Sequence, residues 1–194
     1  MSKPFTILVV CLGNVCRSPL AERLLQDRFA ATIREPDEVV VSSAGVRAVV
    51  GAPMDALAAA ELQRLGGDPA GHVARQLDAR LVEQADLVLT ATRQLRSRLL
   101  EDAPRALKRT FTIPELAALV SAQDFDGRPL HSPTEVVRRA ASWRGSVHPE
   151  EYDVADPIGR SAQVHHEVAE QLDRDCATIA RALSGALLGG ATRL

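Results

Sequence analysis

Aromatic side chains are scarce: four phenylalanines, one tryptophan and one tyrosine make up 3% of the 194 residues. A core must therefore be assembled from alanine, leucine and valine. Cysteine is sparse as well. Three residues, Cys11, Cys16 and Cys176, are too few and odd in number for a secreted disulfide scaffold, and they point to a reducing compartment, the cytoplasm. Neither sign of charge dominates, with 23 Lys and Arg against 25 Asp and Glu. The net charge of −2 gives no electrostatic reason to expect a nucleic-acid or membrane partner. Long apolar runs are also missing. The first one meets Arg17 too soon to read as a signal peptide or a membrane span. What remains, 46% hydrophobic and 25% charged residues, suits a single soluble globular domain over residues 1–194.

The pattern along the chain alternates strands and helices. Residues 6–11 form a continuous aliphatic and β-branched run, as a strand buried on both faces does. Shorter strands are expected at 39–41, 87–90 and 110–112. Helices are expected from Ser18, as N-cap with Pro19 in the first turn, to about Ala31; at 56–65 after Asp55; and at 78–84, 92–101 and 114–119. A last helix begins at Ser161 and runs to about Leu183. This alternation implies an α/β fold with a parallel sheet and helices on both faces. Residues 121–150 break the pattern. The part from Asp124 to Pro133 is polar and punctuated by glycine and proline. A basic amphipathic helix follows at 134–143, with Arg138, Arg139 and Arg144 as a solvated face. The segment reads as an insertion too small to hold a core of its own.

The chemistry concentrates at Cys11-Leu-Gly-Asn-Val-Cys-Arg-Ser18, directly after the first strand. In an open parallel sheet, ligands bind beyond the carboxyl ends of the strands. A loop curling from strand to helix aims backbone N–H groups inward, and the helix N-terminus adds partial positive charge. Gly13 and Asn14 tolerate the left-handed backbone such a curl requires. That field favours an oxyanion dianion, and it favours thiolate over thiol. Such surroundings lower an ordinary cysteine pKa of about 8.5 to roughly 3.5–7.5. Arg17 offers a planar fork for two phosphoryl oxygens. Ser18 can donate its hydroxyl to the Cys11 sulfur. A nucleophile of this kind expels an alkoxide or phenolate that needs a proton. Asp156, held before Pro157 in an extended loop, fits as the acid and later as the base that activates water. The set predicts phosphoryl transfer through Cys11.

The run Val10-Cys-Leu-Gly-Asn-Val-Cys-Arg-Ser-Pro19 resembles the signature loop of the low-molecular-weight protein tyrosine phosphatases. Ser42-Ser-Ala-Gly45, His72-Val-Ala-Arg-Gln76, Ala85-Asp-Leu-Val-Leu89 and Asp156-Pro157 resemble further segments of that family in order. Together they cover about residues 5–120 and 151–185. The resemblance implies a four-stranded parallel sheet in three layers and a two-step reaction with no metal and no cofactor. It assigns Cys11 as nucleophile, Arg17 as phosphate clamp and Asp156 as acid and base. Leu12, Gly13, Asn14, Val15, Cys16, Arg17 and Ser18 would bind phosphate, and Asn14, Ser43 and His72 would brace the loop. The implied partner is a phosphorylated protein or small phosphomonoester, phosphotyrosine first.

Departures from the family bear on the substrate. Its tyrosine phosphatases follow Asp-Pro with aromatics, whereas this chain has Ile158-Gly159. Related arginine phosphatases and thiol-dependent arsenate reductases carry a small residue at the second position. The arginine enzymes, however, have threonine where this chain has Val15. Leu12 and Ile158, with Trp143 or Tyr152 from outside the loop, are the candidates for the substrate wall. An arsenate reductase relying on its own cysteine relay would need a partner thiol nearer than Cys176, so only a version using an external thiol fits. Cys16 is a candidate for a reversible disulfide with Cys11 that protects the nucleophile from over-oxidation. Cys176 reads as packing. His165 and His166 diverge on a helix, and with no evident cysteine or carboxylate partner they suggest no metal site.

Overall fold

The computed structural model describes residues 3–33, 38–122 and 130–191, with the side chains of 189–191 left out. Four strands, β1 (Phe5–Cys11), β2 (Val39–Gly45), β3 (Leu87–Thr90) and β4 (Thr110–Thr112), form one sheet in the order β2-β1-β3-β4, and all three pairings are parallel. Because residues alternate across a strand, β1 serves two cores. Ile7, Val9 and Cys11 face the larger one, and Leu8 and Val10 the smaller. That is why the first strand reads as an unbroken apolar run rather than an alternating one.

The larger core is closed by α1 (Arg17–Ala30), α2 (Ala56–Arg64), α5 (Ile113–Ser121), α6 (Pro133–Ser142) and α7 (Ala162–Ala191). On the opposite face lie α3 (Ala79–Gln84), α4 (Arg93–Asp102) and a 3-10 helix, Pro104–Arg109, that the sequence did not announce. The three layers follow. The chain leaves β1 toward β2 on one side and returns toward β3 on the other, so the end of β1 lies at a topological switch point.

Local chemistry fixes most helix starts. Asp55, Asp78 and Thr92 accept backbone N–H bonds as the N-caps of α2, α3 and α4. Thr112 and Glu115 make a reciprocal capping box on α5. In α1 the cap falls two residues before the expected one. Cys16 occupies the cap position without a side-chain bond, because the Ser18 hydroxyl is engaged elsewhere. Two further elements outrun their expected ends. β2 continues through Gly45 against Leu8–Cys11, and α7 continues to Ala191.

Of residues 121–150, positions 123–129 lie outside the described residues, and with them most of the expected polar stretch. The helix expected at 134–143 is α6, shifted by one residue, and Val136, Val137 and Ala140 join the larger core. Arg144 is not part of a solvated face. Its Nε donates to Glu115 Oε1 at 3.1 Å, its NH2 donates to the Thr110 carbonyl at 2.7 Å, and its guanidinium lies 4.3 Å from the centre of the Phe111 ring. Glu115 is buried and also pairs with Arg96, so removing either arginine leaves a buried charge under-compensated. The segment is thereby fastened to the β4 edge of the sheet.

One residue on α7 works against the fold at neutral pH. Asp175 is half-buried, its Oδ2 has no hydrogen-bond partner among the described residues, and burial pushes its carboxyl up to about 6. The unfolded chain ionises this group from about pH 4. Between those values the native state binds more protons than the unfolded one, so stability falls as pH rises. Asp175→Asn is expected to raise stability by about 1–2 kcal/mol at pH 7, after discounting for the solvent-accessible part of the group. It should change little at pH 4. Urea melts of both proteins at the two pH values measure this.

Candidate active site

The loop between β1 and α1 is wrapped so that its carbonyls face outward. The carbonyls of Cys11, Leu12 and Gly13 accept from the N–H groups of Val46, Arg47 and Val49 at 3.1, 2.9 and 3.0 Å. The Asn14 carbonyl accepts from His72 Nε2 at 2.8 Å, which identifies the Nε2–H tautomer. The Val15 carbonyl accepts from the Asp55 N–H at 2.8 Å. With the carbonyls tied back, the N–H groups of Gly13, Val15 and Cys16 have no protein partner among the described residues. They line the inside of a curl that ends at the N-terminus of α1. This is an anion cradle.

Asn14 holds the curl. It is the single non-glycine residue with positive φ among those described, at 56°, a conformation asparagine tolerates better than most residues. Its side chain is spoken for on every side. Oδ1 accepts from the Arg75 N–H at 2.9 Å, which fixes the amide orientation. Nδ2 then donates to Ser18 Oγ at 2.9 Å and Ser43 Oγ at 2.8 Å. Ser43 donates onward to Glu22. Ser18, accepting from Asn14, turns its own proton to the Cys11 sulfur at 3.0 Å, and the Asn14 N–H donates to the same sulfur at 3.3 Å. Two donors therefore converge on the sulfur of a residue that is 2% exposed.

Gly45 is required by proximity. A Cβ there would lie 2.6 Å from the Leu12 carbonyl oxygen and 2.9 Å from the Asn14 nitrogen, both backbone atoms that cannot swing away. Gly45→Ala is expected to push the loop out of register and lower kcat/KM by about 10²-fold, the scale of an ångström-sized misplacement. Steady-state kinetics, with a circular dichroism spectrum to establish folding, measure it.

Arg17 is almost fully buried beneath the curl. One guanidinium nitrogen donates to the Val154 carbonyl at 3.0 Å, and the other pairs with Asp156 Oδ2 at 2.7 Å. Val154 is itself fully buried, and its N–H donates to the Ala91 carbonyl at 2.8 Å. The distant aspartate is thus brought to the cradle by an anchored residue two positions upstream. Asp156 stays partly open to solvent, and its Oδ1 accepts from the Ile158 N–H at 3.3 Å. Cys16, by contrast, has its thiol held in the neutral form by burial first and by the Asp55 charge second. Cys11, Cys16 and Cys176 are all free thiols, and Cys176 is packed in the core as expected.

A cavity of about 320 Å³ opens over the curl. Cys11, Gly13, Val15, Cys16 and Arg17 form its floor, Asp156 stands at one side, and the mouth is set by Leu12, Arg47, Val49 and Ile158. The structure therefore brings together Cys11, Arg17, Asp156 and the cradle, with Asn14, Ser43 and His72 behind it. Leu12 and Ile158 line this cavity. Trp143 and Tyr152 do not line this cavity. Trp143 packs against the main core at the end of α6, where the indole is drawn by apolar burial. Tyr152 stacks beneath Arg93, whose guanidinium lies 4.9 Å from the ring centre, and its hydroxyl lies 3.3 Å from His148 Nδ1. The wall is aliphatic, with one cation. Arg47 and Val49 escaped sequence reasoning because they follow β2 in a loop with no distinguishing pattern. Glu22 and Arg75 escaped it because they act through Ser43 and Asn14.

Comparison with known proteins is consistent across sequence and structure. A profile described as low molecular weight phosphotyrosine protein phosphatase matches residues 6–126. The chain is 46% identical over 100 residues to the low molecular weight protein-tyrosine-phosphatase Wzb of Escherichia coli K12, covering 50% of this chain and 62% of that one. It is 28% identical over 169 residues to the probable phosphatase EpsP of Ralstonia nicotianae, covering 87% and 89%. Among solved structures, the arginine phosphatase YwlE of Geobacillus stearothermophilus superposes with a TM-score of 0.70 at 29% identity, covering 95% and 96%. The tyrosine phosphatase AmsI of Erwinia amylovora gives 0.67 at 26%, covering 93% of each.

Proposed function

The chain belongs to the low molecular weight phosphotyrosine protein phosphatase family, and from that premise we propose that it hydrolyses phosphotyrosine in proteins through a phosphocysteine intermediate. The observation that carries this is the convergence on one cradle of Cys11, with two donors on its sulfur, and of the Arg17–Asp156 pair. An arriving phosphoryl dianion takes up the cradle N–H groups and the Arg17 fork. The Cys11 thiolate attacks phosphorus, an S–P bond forms, and the P–O bond to the leaving phenolate breaks as Asp156 supplies its proton. Asp156, now a carboxylate, takes a proton from water. That water attacks phosphorus, the S–P bond breaks, and inorganic phosphate departs. The Ser18 proton steadies the sulfur as the thiolate returns.

A second reading, arginine phosphatase, is favoured by one feature: the mouth is aliphatic and holds no aromatic residue among those lining it. Val15 in the floor, rather than threonine, supports the tyrosine reading. Arsenate reduction with an external thiol has no comparable support from the site. A side-by-side kcat/KM comparison of phosphotyrosine and phosphoarginine peptides tests the choice. The tyrosine reading expects preference for the phenyl ester and is overturned by the reverse order. We propose the cytoplasm as its compartment on the grounds of the low, odd cysteine count. Among the described residues, no helix is long and apolar enough to cross a membrane. The chain is proposed as one phosphatase domain, its insertion at 121–150 beginning about where the family match ends.

A further inference from the structure

His165 looked partnerless in the sequence, because its neighbour points elsewhere: His166 Nδ1 lies 3.1 Å from Glu61 Oε2 on α2. The fold supplies the missing partners from two other elements. His165, in the first turn of α7, is 3% exposed, and its Nδ1 lies 3.8 Å from Asp55 Oδ1. Cys16, at the start of α1, completes a trio whose ligand atoms all lie within 4.8 Å of one another. We propose that Cys16, Asp55 and His165 form a zinc site beside the phosphate cradle, and that zinc bound there holds the enzyme in a low-activity state.

The donor set selects the ion. Thiolate, imidazole and one carboxylate suit Zn²⁺, whereas Mg²⁺ and Ca²⁺ prefer oxygen alone. Tetrahedral zinc with bonds of about 2.0–2.3 Å needs its ligands about 3.3–3.6 Å apart, so the trio closes by roughly an ångström. Asp55 can serve without giving up its cap. Its Oδ1 accepts from the N–H groups of Leu57 and Ala58, and its Oδ2 carries no protein bond among the described residues. The charges balance, since one thiolate and one carboxylate neutralise the dication, which makes burial tolerable. As the S–Zn bond forms, the Cys16 proton passes to solvent. The cation reverses the local preference that otherwise keeps this thiol neutral.

The consequence for activity follows from where Cys16 sits. It supplies a cradle N–H, and it immediately precedes Arg17. The Val15 carbonyl is already bonded to Asp55. Drawing the Cys16 sulfur toward Asp55 and His165 pulls the end of the curl away from the position it takes over Cys11.

Titrating the full-length protein with Co²⁺, and then displacing it with Zn²⁺, reads the site through the thiolate-to-cobalt charge-transfer band. One ion per chain is expected, with the band retained in Cys11→Ser and lost in Cys16→Ser. His165→Gln and Asp55→Asn, the second keeping the cap, should each weaken binding by about tenfold or more. His165→Gln should keep metal-free phosphatase activity while becoming about tenfold less sensitive to Zn²⁺. A band that follows Cys11 instead of Cys16 would place the ion on the nucleophile and overturn the proposal. Unchanged affinity in Asp55→Asn would also overturn it, and that variant decides the matter even if His165→Gln folds poorly.

Discussion

Cys11→Ser is expected to abolish turnover, lowering kcat by about 10⁴–10⁶-fold while leaving anion binding intact. The cradle explains the split. The groups that bind the oxyanion are backbone N–H groups and Arg17, none of which the substitution touches. The sulfur contributes something else. It is buried, it accepts from Ser18 at 3.0 Å and from the Asn14 N–H at 3.3 Å, and it can attack as an anion and depart as one. A serine hydroxyl in its place is a weaker nucleophile. Any phosphoserine ester it formed would be a dead end, because an alkoxide leaves phosphorus far less readily than a thiolate. Para-nitrophenyl phosphate kinetics alongside calorimetric titration with vanadate or phosphate separate the two effects. A variant that binds the anion and does not turn over is the predicted outcome. Retained turnover would remove Cys11 from the chemistry.

Asp156→Ala is expected to lower kcat by about 10²–10⁴-fold, the usual worth of a positioned general acid. The loss should depend on the leaving group. Para-nitrophenolate departs with little help, so its ester should suffer least, and an alkyl phosphate should suffer most. KM should fall or hold steady, since the Arg17 nitrogen now paired with Asp156 at 2.7 Å becomes free for the phosphoryl group. A uniform loss across leaving groups, carried by KM, would show that Asp156 only positions Arg17. Asp156→Asn separates these roles further, because it keeps a hydrogen-bond acceptor for Arg17 and has no proton to exchange.

Much of this site could be read from the chain because its parts are local. Cys11, Asn14, Arg17 and Ser18 lie within one turn of backbone between a strand and a helix, so spacing alone predicts that they converge. Asp156 is distant in sequence, but the chemistry demands an acid, and a proline-held aspartate is an uncommon way to supply one. The sheet was legible for a similar reason: β1 is buried on both faces, and its composition says so. Asp55 declared itself as a helix cap by residue type, whereas Asp78 and Thr92, expected as the first residues of their helices, prove to be the caps.

The failures share a cause as well. Ser18 has the composition of an N-cap, yet its hydroxyl serves Cys11 and Asn14, so α1 starts earlier. Trp143 and Tyr152 were sought at the substrate wall because the acid loop lacks aromatics. Apolar burial took the first into the core, and Arg93 took the second. Arg144 looked like solvated charge until Glu115 and the Phe111 ring appeared beneath it. His165 gained its partners from α1 and α2, elements far from it in sequence. Each of these is decided by contacts between distant segments, which residue spacing does not encode. Gly45 lies between the two cases. The sequence places it in a family-like segment just past the expected strand, but the backbone of Leu12 and Asn14 crowding its Cβ position is a tertiary fact.

The account rests on Cys11 as the atom that carries phosphorus between the two half-reactions. Acid-quenching the Asp156→Ala variant during turnover of para-nitrophenyl phosphate, followed by peptide mass spectrometry, measures this directly. That substrate needs little acid assistance to load the enzyme, while loss of the base that activates water slows its release. The prediction is one phosphoryl group on the peptide holding Cys11, bonded to sulfur, and its absence in a Cys11→Ala background. An unmodified Cys11 with the phosphoryl group on another residue would contradict the account.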